Sequence, residues 1–313
     1  MDRRGFLVGA AALATAPTMR LGGTPLALVT ADLESHVVAV ELSSGRVVRR
    51  VRTPADPRSI ESVGGIGALV AHTAGGRLTL IDSDLRVRPV RGAIAEPRYA
   101  AVSPDGRYAY VTDSGRREVA VVDVRGRRIV GRVAVPGACR HIGIDAKGTR
   151  LWVALGNKAD ELAVLSLSDR GRPRVVARIR PPFLAHDVGF TPGGRRVWVT
   201  SGDSRRLAIY EAGGDLVRTL RGDAPPQHVT FAGGRAFVAS GDDGVLRVHA
   251  LDGTLLRSER VPFGSYNVQQ GWGVVLTPSL AQGTLSWLSD RGAPIRRVRV
   301  ARSSHDTCFV MSP

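Results

Sequence analysis

The stretch SPDGRYAYVTDSGRREVAVVDV, residues 103–124, decides the fold. Ser-Pro-Asp-Gly is turn chemistry, because proline presets its own φ and glycine accepts the left-handed region at no steric cost. YAYVTD then runs as a strand, DSGRRE as a second turn and VAVVDV as a second strand, with apolar residues alternating with small or polar ones. The same strand–turn–strand unit recurs along the chain. First strands are expected near Ala27–Asp32, Ala68–Thr73, Tyr108–Asp113, Arg150–Gly156, Arg196–Gly202, Arg235–Gly241 and Gly273–Ser279. An arginine-rich third strand follows each pair, as at Arg128–Val135, Arg174–Arg180 and Ile295–Val300, and a short fourth strand opens the next unit.

Equivalent residues at the start of that short strand are Ser59, Tyr99, His141, Asp187, His228, Asn267 and Asp306, spaced by 40, 42, 46, 41, 39 and 39. A repeat of this length, built of four strands, specifies a propeller. The chain begins with three strands of a unit and ends with one lone strand, Asp306–Met311, and the two fragments complete each other. An open array would leave unpaired edges at both ends, which native sheets avoid. The predicted fold is therefore all-β: a seven-bladed β-propeller of four-stranded antiparallel blades, closed by pairing the C-terminal strand with the N-terminal three strands.

At its repeat, with Tyr110-Val111-Thr112-Asp113 at the centre, the sequence resembles the YVTN-type, YncE-like propellers. TPGGRRVWVTSGDSRRLAIYEA, from Thr191, keeps the pattern, whereas the unit at 273–290 departs from it, with Gln269, Gln270 and Gly271 where the turn would sit. The resemblance covers residues 26–313. It implies an exported or periplasmic-type propeller and brings no catalytic residue with it, because propellers host binding scaffolds and enzymes alike. Lactonases and streptogramin lyases are analogies at the level of fold; their glutamate- and aspartate-centred patterns are not matched.

The 313 residues, 43% hydrophobic with 37 glycines, are enough for a large core and exclude a disordered or disulfide-stapled chain. Two cysteines, Cys139 and Cys308, fall three blades apart, too distant for a bridge. No apolar run reaches the ~18 residues of a membrane span. Residues 1–16 read as an export signal of twin-arginine type, with Arg3-Arg4 ahead of a short apolar run and Ala14-Thr15-Ala16 or Ala12-Leu13-Ala14 as the cleavage site. Residues 17–25 follow as a linker. The expected location is the periplasm, cell wall or extracellular space, as a monomer.

The innermost strand of each blade lines the channel, and the two residues opening it lie on the upper rim. In order these are Arg58-Ser59, Arg98-Tyr99, Arg140-His141, His186-Asp187, Gln227-His228, Tyr266-Asn267 and His305-Asp306, above residues expected to form an apolar shaft. Concave mouths of this kind bind small ligands. The candidate ligand-binding residues are Arg58, Arg98, Tyr99, Arg140, His141, His186, Asp187, His228, Tyr266, Asn267, His305 and Asp306. Four of the seven histidines, His141, His186, His228 and His305, open inner strands and are candidate ligands for a divalent metal or copper, with Asp187 and Asp306 as partners orienting the imidazoles. Against this stands the structural reading that a polar residue here satisfies backbone groups of the neighbouring turn. Trp152, Trp198, Tyr110 and Phe237 share one register and are read as blade-to-blade packing.

The formal net charge is +16, from 44 basic and 28 acidic residues, and only Lys147 and Lys158 are lysines. Arg46, Arg49, Arg50, Arg52, Arg86, Arg88, Arg91, Arg296, Arg297, Arg299 and Arg302 lie on or beside outer strands, where charge blocks edge-to-edge association; Arg125, Arg127 and Arg128 lie at lower turns. Edge protection explains the positions but not the sign, and the excess of positive charge favours nonspecific attraction of polyanions. Two functions follow from the sequence: a binding or interaction module taking a small-molecule or protein ligand at its upper face, or a metal-assisted hydrolase, lyase or oxidase using the histidine-rich mouth.

Overall fold

The Ser-Pro-Asp-Gly stretch forms the turn its chemistry demands. In a computed structural model describing residues 23–313, Ser103 Oγ accepts from the Tyr108 amide at 2.9 Å and donates to Asp105 Oδ1 at 2.6 Å. Gly106 closes the turn at φ 66°, in the left-handed region. The strand that follows, Tyr108–Asp113, pairs with Glu118–Asp123, which pairs with Arg128–Ala134, and Pro97–Val102 adds the fourth, innermost strand.

Seven such sheets occur, each four-stranded and antiparallel. Their inner strands are Thr307–Ser312, Pro57–Val63, Pro97–Val102, Ile142–Ile144, Val188–Phe190, Val229–Ala232 and Gln269–Gly271, here blades 1 to 7. Blade 1 closes the ring: Thr307–Ser312 pairs with Thr24–Ala31, with Cys308 opposite Leu28. That first strand begins at Thr24, two residues before the propeller start read from the repeat. The export-signal reading of residues 1–16 lies outside the described residues. Among the described residues, no helix is long and apolar enough to cross a membrane.

Two local features differ from the sequence reading. Gln269–Gly271 is an inner strand rather than a turn, and the turn is Trp272-Gly273, both with positive φ, linking Gly271 to Val274. This two-residue hairpin turn replaces the longer Ser-Pro-Asp-Gly type. In six of the seven blades the second and third strands also slip register by a bulge at the same place, as between Val121 and Val122 or Val248 and His249. Bulges bend and twist the outer strand, and no sequence signal marked them.

The core lies between the blades. Trp152 and Trp198 are fully buried, Trp152 against Phe190 and Tyr210, Trp198 against Phe231 and His249. Cys139 and Cys308 are buried and unbridged. Near the axis the inner strands of blades 4 to 6 approach so closely that a Cβ on Gly143 would lie 2.7 Å from the Val188 carbonyl oxygen, and one on Gly189 2.8 Å from Val229.

The arginines account for their own sign. Arg49 donates to the Asp84 carbonyl at 3.2 Å, Arg50 to that of Val300 at 2.8 Å, Arg296 to Ser43 at 2.9 Å and Arg218 to Asp252 at 2.9 Å. Each bond crosses from one blade's outer strand to a turn or strand end of an adjacent blade. A carbonyl accepts only from a donor, so glutamate cannot make these links.

Candidate functional site

Nine of the fourteen residues at the openings of the inner strands, Arg58 and His305 among them, line one cavity, and hydrogen bonding divides the set. Asp306 Oδ2 accepts from the Ile60 amide at 3.1 Å, and Asp187 Oδ2 from the Val229 amide at 3.1 Å. Asn267 Nδ2 donates to the His305 carbonyl at 2.8 Å, and Ser59 donates to the carbonyl of Arg98. In each case a polar side chain clips its blade to the next, as the structural reading of these positions expects. The equivalent residues of the remaining blades are Tyr99, His141 and His228, whose rings make no such clip.

Those three rings and His186 pack into one cluster. Ring centroids lie 4.3 Å apart for Tyr99 and His141, 4.3 Å for His141 and His186, and 4.8 Å for His141 and His228. One ring nitrogen from each of His141, His186 and His228 lies within 4.8 Å of the others. His305 does not join them: its Nδ1 faces Asp32 Oδ2 at 3.6 Å.

Two of the three imidazoles are oriented. His186 Nδ1 lies 3.1 Å from the Asn157 carbonyl, which can only accept, so Nδ1 carries the proton and Nε2 the lone pair. His228 Nδ1 faces Asp187 Oδ2 at 3.4 Å, a carboxylate–histidine pairing of the kind that fixes metal ligands. His141 is 1% exposed, and both of its ring nitrogens are buried without a hydrogen-bond partner among the described residues. Buried polar groups are rarely left so, and an ion or water commonly explains the exceptions. Burial and repulsion from His228 hold the His186 imidazole down at about 4, and burial with repulsion from both neighbours holds His141 well below the usual range.

The donor set fits an ion. Three imidazoles suit zinc, copper, iron or nickel, and metal–nitrogen bonds of 2.0–2.1 Å place ligand nitrogens about 3.3–3.5 Å apart. The present separations of up to 4.8 Å close to that spacing by an inward shift of about 1 Å.

Above the cluster opens a cavity of about 350 Å³, whose walls include Arg58, Tyr99, Arg140, His186, His228 and Tyr266. Tyr266 donates to Asp242 at 2.8 Å across it, and burial beside that carboxylate pushes its phenol up to about 12. Arg98 is turned aside, paired with Glu96 and donating to Ser114 at 3.0 Å. Below the cluster a narrow shaft of about 100 Å³ shares Tyr99, His228 and Asn267 with the cavity above.

The shaft is not the apolar tube expected from sequence. Gln269 and Glu61 line it beside Asp306. Protein surrounds Glu61 on every side while channel solvent touches it, and burial together with the Asp306 charge pushes its carboxyl up to about 8. An alignment on the seven repeat markers held the signal: two residues beyond each lie Glu61, Ala101, Gly143, Gly189, Thr230, Gln269 and Cys308, a carboxylate among mostly small side chains.

No protein-family model matches the chain, and neither does any curated protein. Solved structures do. A functionally unknown protein from Desulfotomaculum acetoxidans superposes with a TM-score of 0.79 at 12% identity, covering 92% of this chain and 99% of that one. The periplasmic gluconolactonase PpgL of Pseudomonas aeruginosa gives 0.71 at 20% identity, covering 92% and 99%. A putative 6-phosphogluconolactonase from Bacteroides uniformis gives 0.75 at 12% identity, covering 92% and 100%. At such identities the likeness is one of fold, and in fold the chain is a seven-bladed propeller like the lactonase and YVTN-type propellers.

Proposed function

We propose that the chain works through its upper channel mouth as a metal-assisted hydrolase of a small carbonyl compound, an ester or lactone, with His141, His186 and His228 holding the ion. The single observation that carries this reading is His141: an imidazole buried with two unpartnered nitrogens, between two imidazoles oriented by a carbonyl and a carboxylate. Leaving such a group unsatisfied costs about 1–3 kcal/mol, and a bound ion would remove that cost. A bound ion would supply Lewis-acid polarisation of the carbonyl and an acidified water. The chain's own residues would do the rest. Asn157 and Asp187 fix the imidazoles, Tyr99 closes the floor of the cavity, and the cavity leaves one side of the cluster open to a ligand. A ligand-binding module without turnover uses the same mouth but gives no reason for three converging imidazoles. The lactonase names among the structural neighbours favour hydrolysis by analogy of fold.

The test is metal analysis of protein purified from its native export route, together with turnover of a lactone such as gluconolactone before and after chelation. The expected result is about one ion per chain, lost in His141→Ala, with activity lost in parallel. Metal-free wild-type protein that also fails to take up zinc, copper, iron or nickel would overturn the reading. Export is part of the same proposal: residues 1–16 fused to a folded reporter should carry it out of the cytoplasm, and Arg3→Lys with Arg4→Lys should retain it.

A further inference from the structure

The charged groups around the cavity are unequally matched. Lys158 pairs with Asp203 at 2.6 Å, Arg98 with Glu96, and Asp242 accepts from Gln227 at 2.9 Å and from Tyr266 at 2.8 Å. The acids of the rim are thus engaged. Arg58 and Arg140 are not: neither guanidinium has a carboxylate partner among the described residues, and Arg140, beside the neutral Tyr99 phenol, leaves its Nε buried with no partner. Both are half-buried. Both line the one cavity above the imidazoles.

Their positions are set by the backbone. Arg58 is the extra residue of a bulge, between Pro57 opposite His72 and Ser59 opposite Ala71. Arg140 opens blade 4, immediately before His141. Tyr99, from the blade between theirs, lines the same cavity. Two uncompensated guanidiniums in one partly desolvated cavity are an unsatisfied arrangement for a protein by itself. A planar or tetrahedral oxyanion satisfies it, because guanidinium donors match carboxylate and phosphate oxygens.

We infer that Arg58 and Arg140 form an oxyanion subsite that anchors the carboxylate or phosphate of a small substrate beside the His141, His186 and His228 cluster. This deepens the hydrolase reading by giving its substrate a negative charge, and it rests on that reading only for the word substrate. Anion binding itself needs no metal.

The experiment is calorimetric titration of metal-stripped protein with inorganic phosphate and, separately, with succinate, at low ionic strength. Wild-type protein should bind at one saturable site per chain. Arg58→Gln and Arg140→Gln should each weaken binding at least tenfold, whereas Arg125→Gln, the same charge change at an exposed turn, should stay within twofold. Arg140→Lys serves if Arg140→Gln unfolds: it keeps the charge, loses the fork and should fall between the two. The tighter probe identifies the anion as phosphate or carboxylate. The inference is overturned by an absence of saturable binding, by wild-type affinity in the Arg58 and Arg140 variants, or by an equal loss in Arg125→Gln. Arginine-dependent binding in a protein that takes up no metal would keep the subsite and sink the hydrolase reading instead.

Discussion

Replacing Glu61 by glutamine should stabilise the propeller at alkaline pH and leave it unchanged near pH 5. Glu61 projects into the shaft beside Asp306, and burial, then the Asp306 charge, pushes its carboxyl from 4.5 to about 8. Asp306, on the inner strand next to it, is itself raised by burial, but the Ile60 and Thr307 amides both donate to it and favour its ionised form. The pair therefore holds its one easy negative charge on Asp306, and the buried Cys308 thiol adds no second charge near neutrality, being pushed well up by burial and by both carboxyls. Between about 4.5 and 8 the folded chain keeps a proton on Glu61 that the unfolded chain has released, so stability falls as pH rises through that window. Each pH unit is worth about 1.4 kcal/mol, giving a ceiling of about 5 kcal/mol above pH 8. Channel water reaches the carboxyl and lowers its cost, so about 2 kcal/mol is the working figure. Glutamine keeps the shape without the titration. Thermal unfolding of wild type and Glu61→Gln from pH 5 to 9 should give coincident midpoints at the acid end and a gain of about 4 °C or more at the alkaline end. Comparing the two proteins cancels the titrating groups that Glu61 does not influence; Asp306 and Cys308 remain coupled to it. Parallel profiles across the whole range would show that Glu61 is ionised throughout and that the burial argument is wrong.

In metal-stripped protein, His141→Phe should raise the melting temperature, since it removes two unpartnered buried nitrogens worth about 1–2 kcal/mol and keeps a ring stacked on Tyr99; the same variant should lose metal uptake, and a destabilised His141→Phe would mean that the imidazole is satisfied. Gly143→Ala should cost about 1–3 kcal/mol in urea unfolding, because its Cβ would meet the Val188 carbonyl at 2.7 Å. Arg50→Glu should lower stability by about 1 kcal/mol through loss of the bond to the Val300 carbonyl, while Arg125→Glu, with the same change of charge, should not; equal effects would make the arginines a matter of net charge alone. Retention on heparin should fall steeply with salt, and retention that persists at 1 M NaCl would speak against nonspecific polyanion attraction.

The split among the channel-mouth residues shows where a one-dimensional reading stops. Ser59, Asp187, Asn267 and Asp306 occupy the same repeat position as Tyr99, His141 and His228, and residue type alone gave both sets the same two readings. Which side chain meets an amide of the next blade depends on the angle between adjacent sheets. His305 illustrates the same limit: it shares its repeat position with His186, yet ring geometry turns it to Asp32. Glu61 does not stand out in the sequence because its neighbours Ile60 and Ser62 suit an inner strand, and only the closed ring makes that register a channel wall.

The sequence by itself determined the propeller. The alternation of apolar residues, the turn chemistry and the seven near-equal spacings are local or periodic properties, and the three strands at the start with the lone strand at the end complete one blade. The tertiary structure decided which of the polar residues so placed have partners. Satisfaction of a buried donor or acceptor depends on atoms tens to hundreds of residues away: Asp306 is answered by Ile60, Arg50 by Val300, and the His141 ring nitrogens by no partner among the described residues.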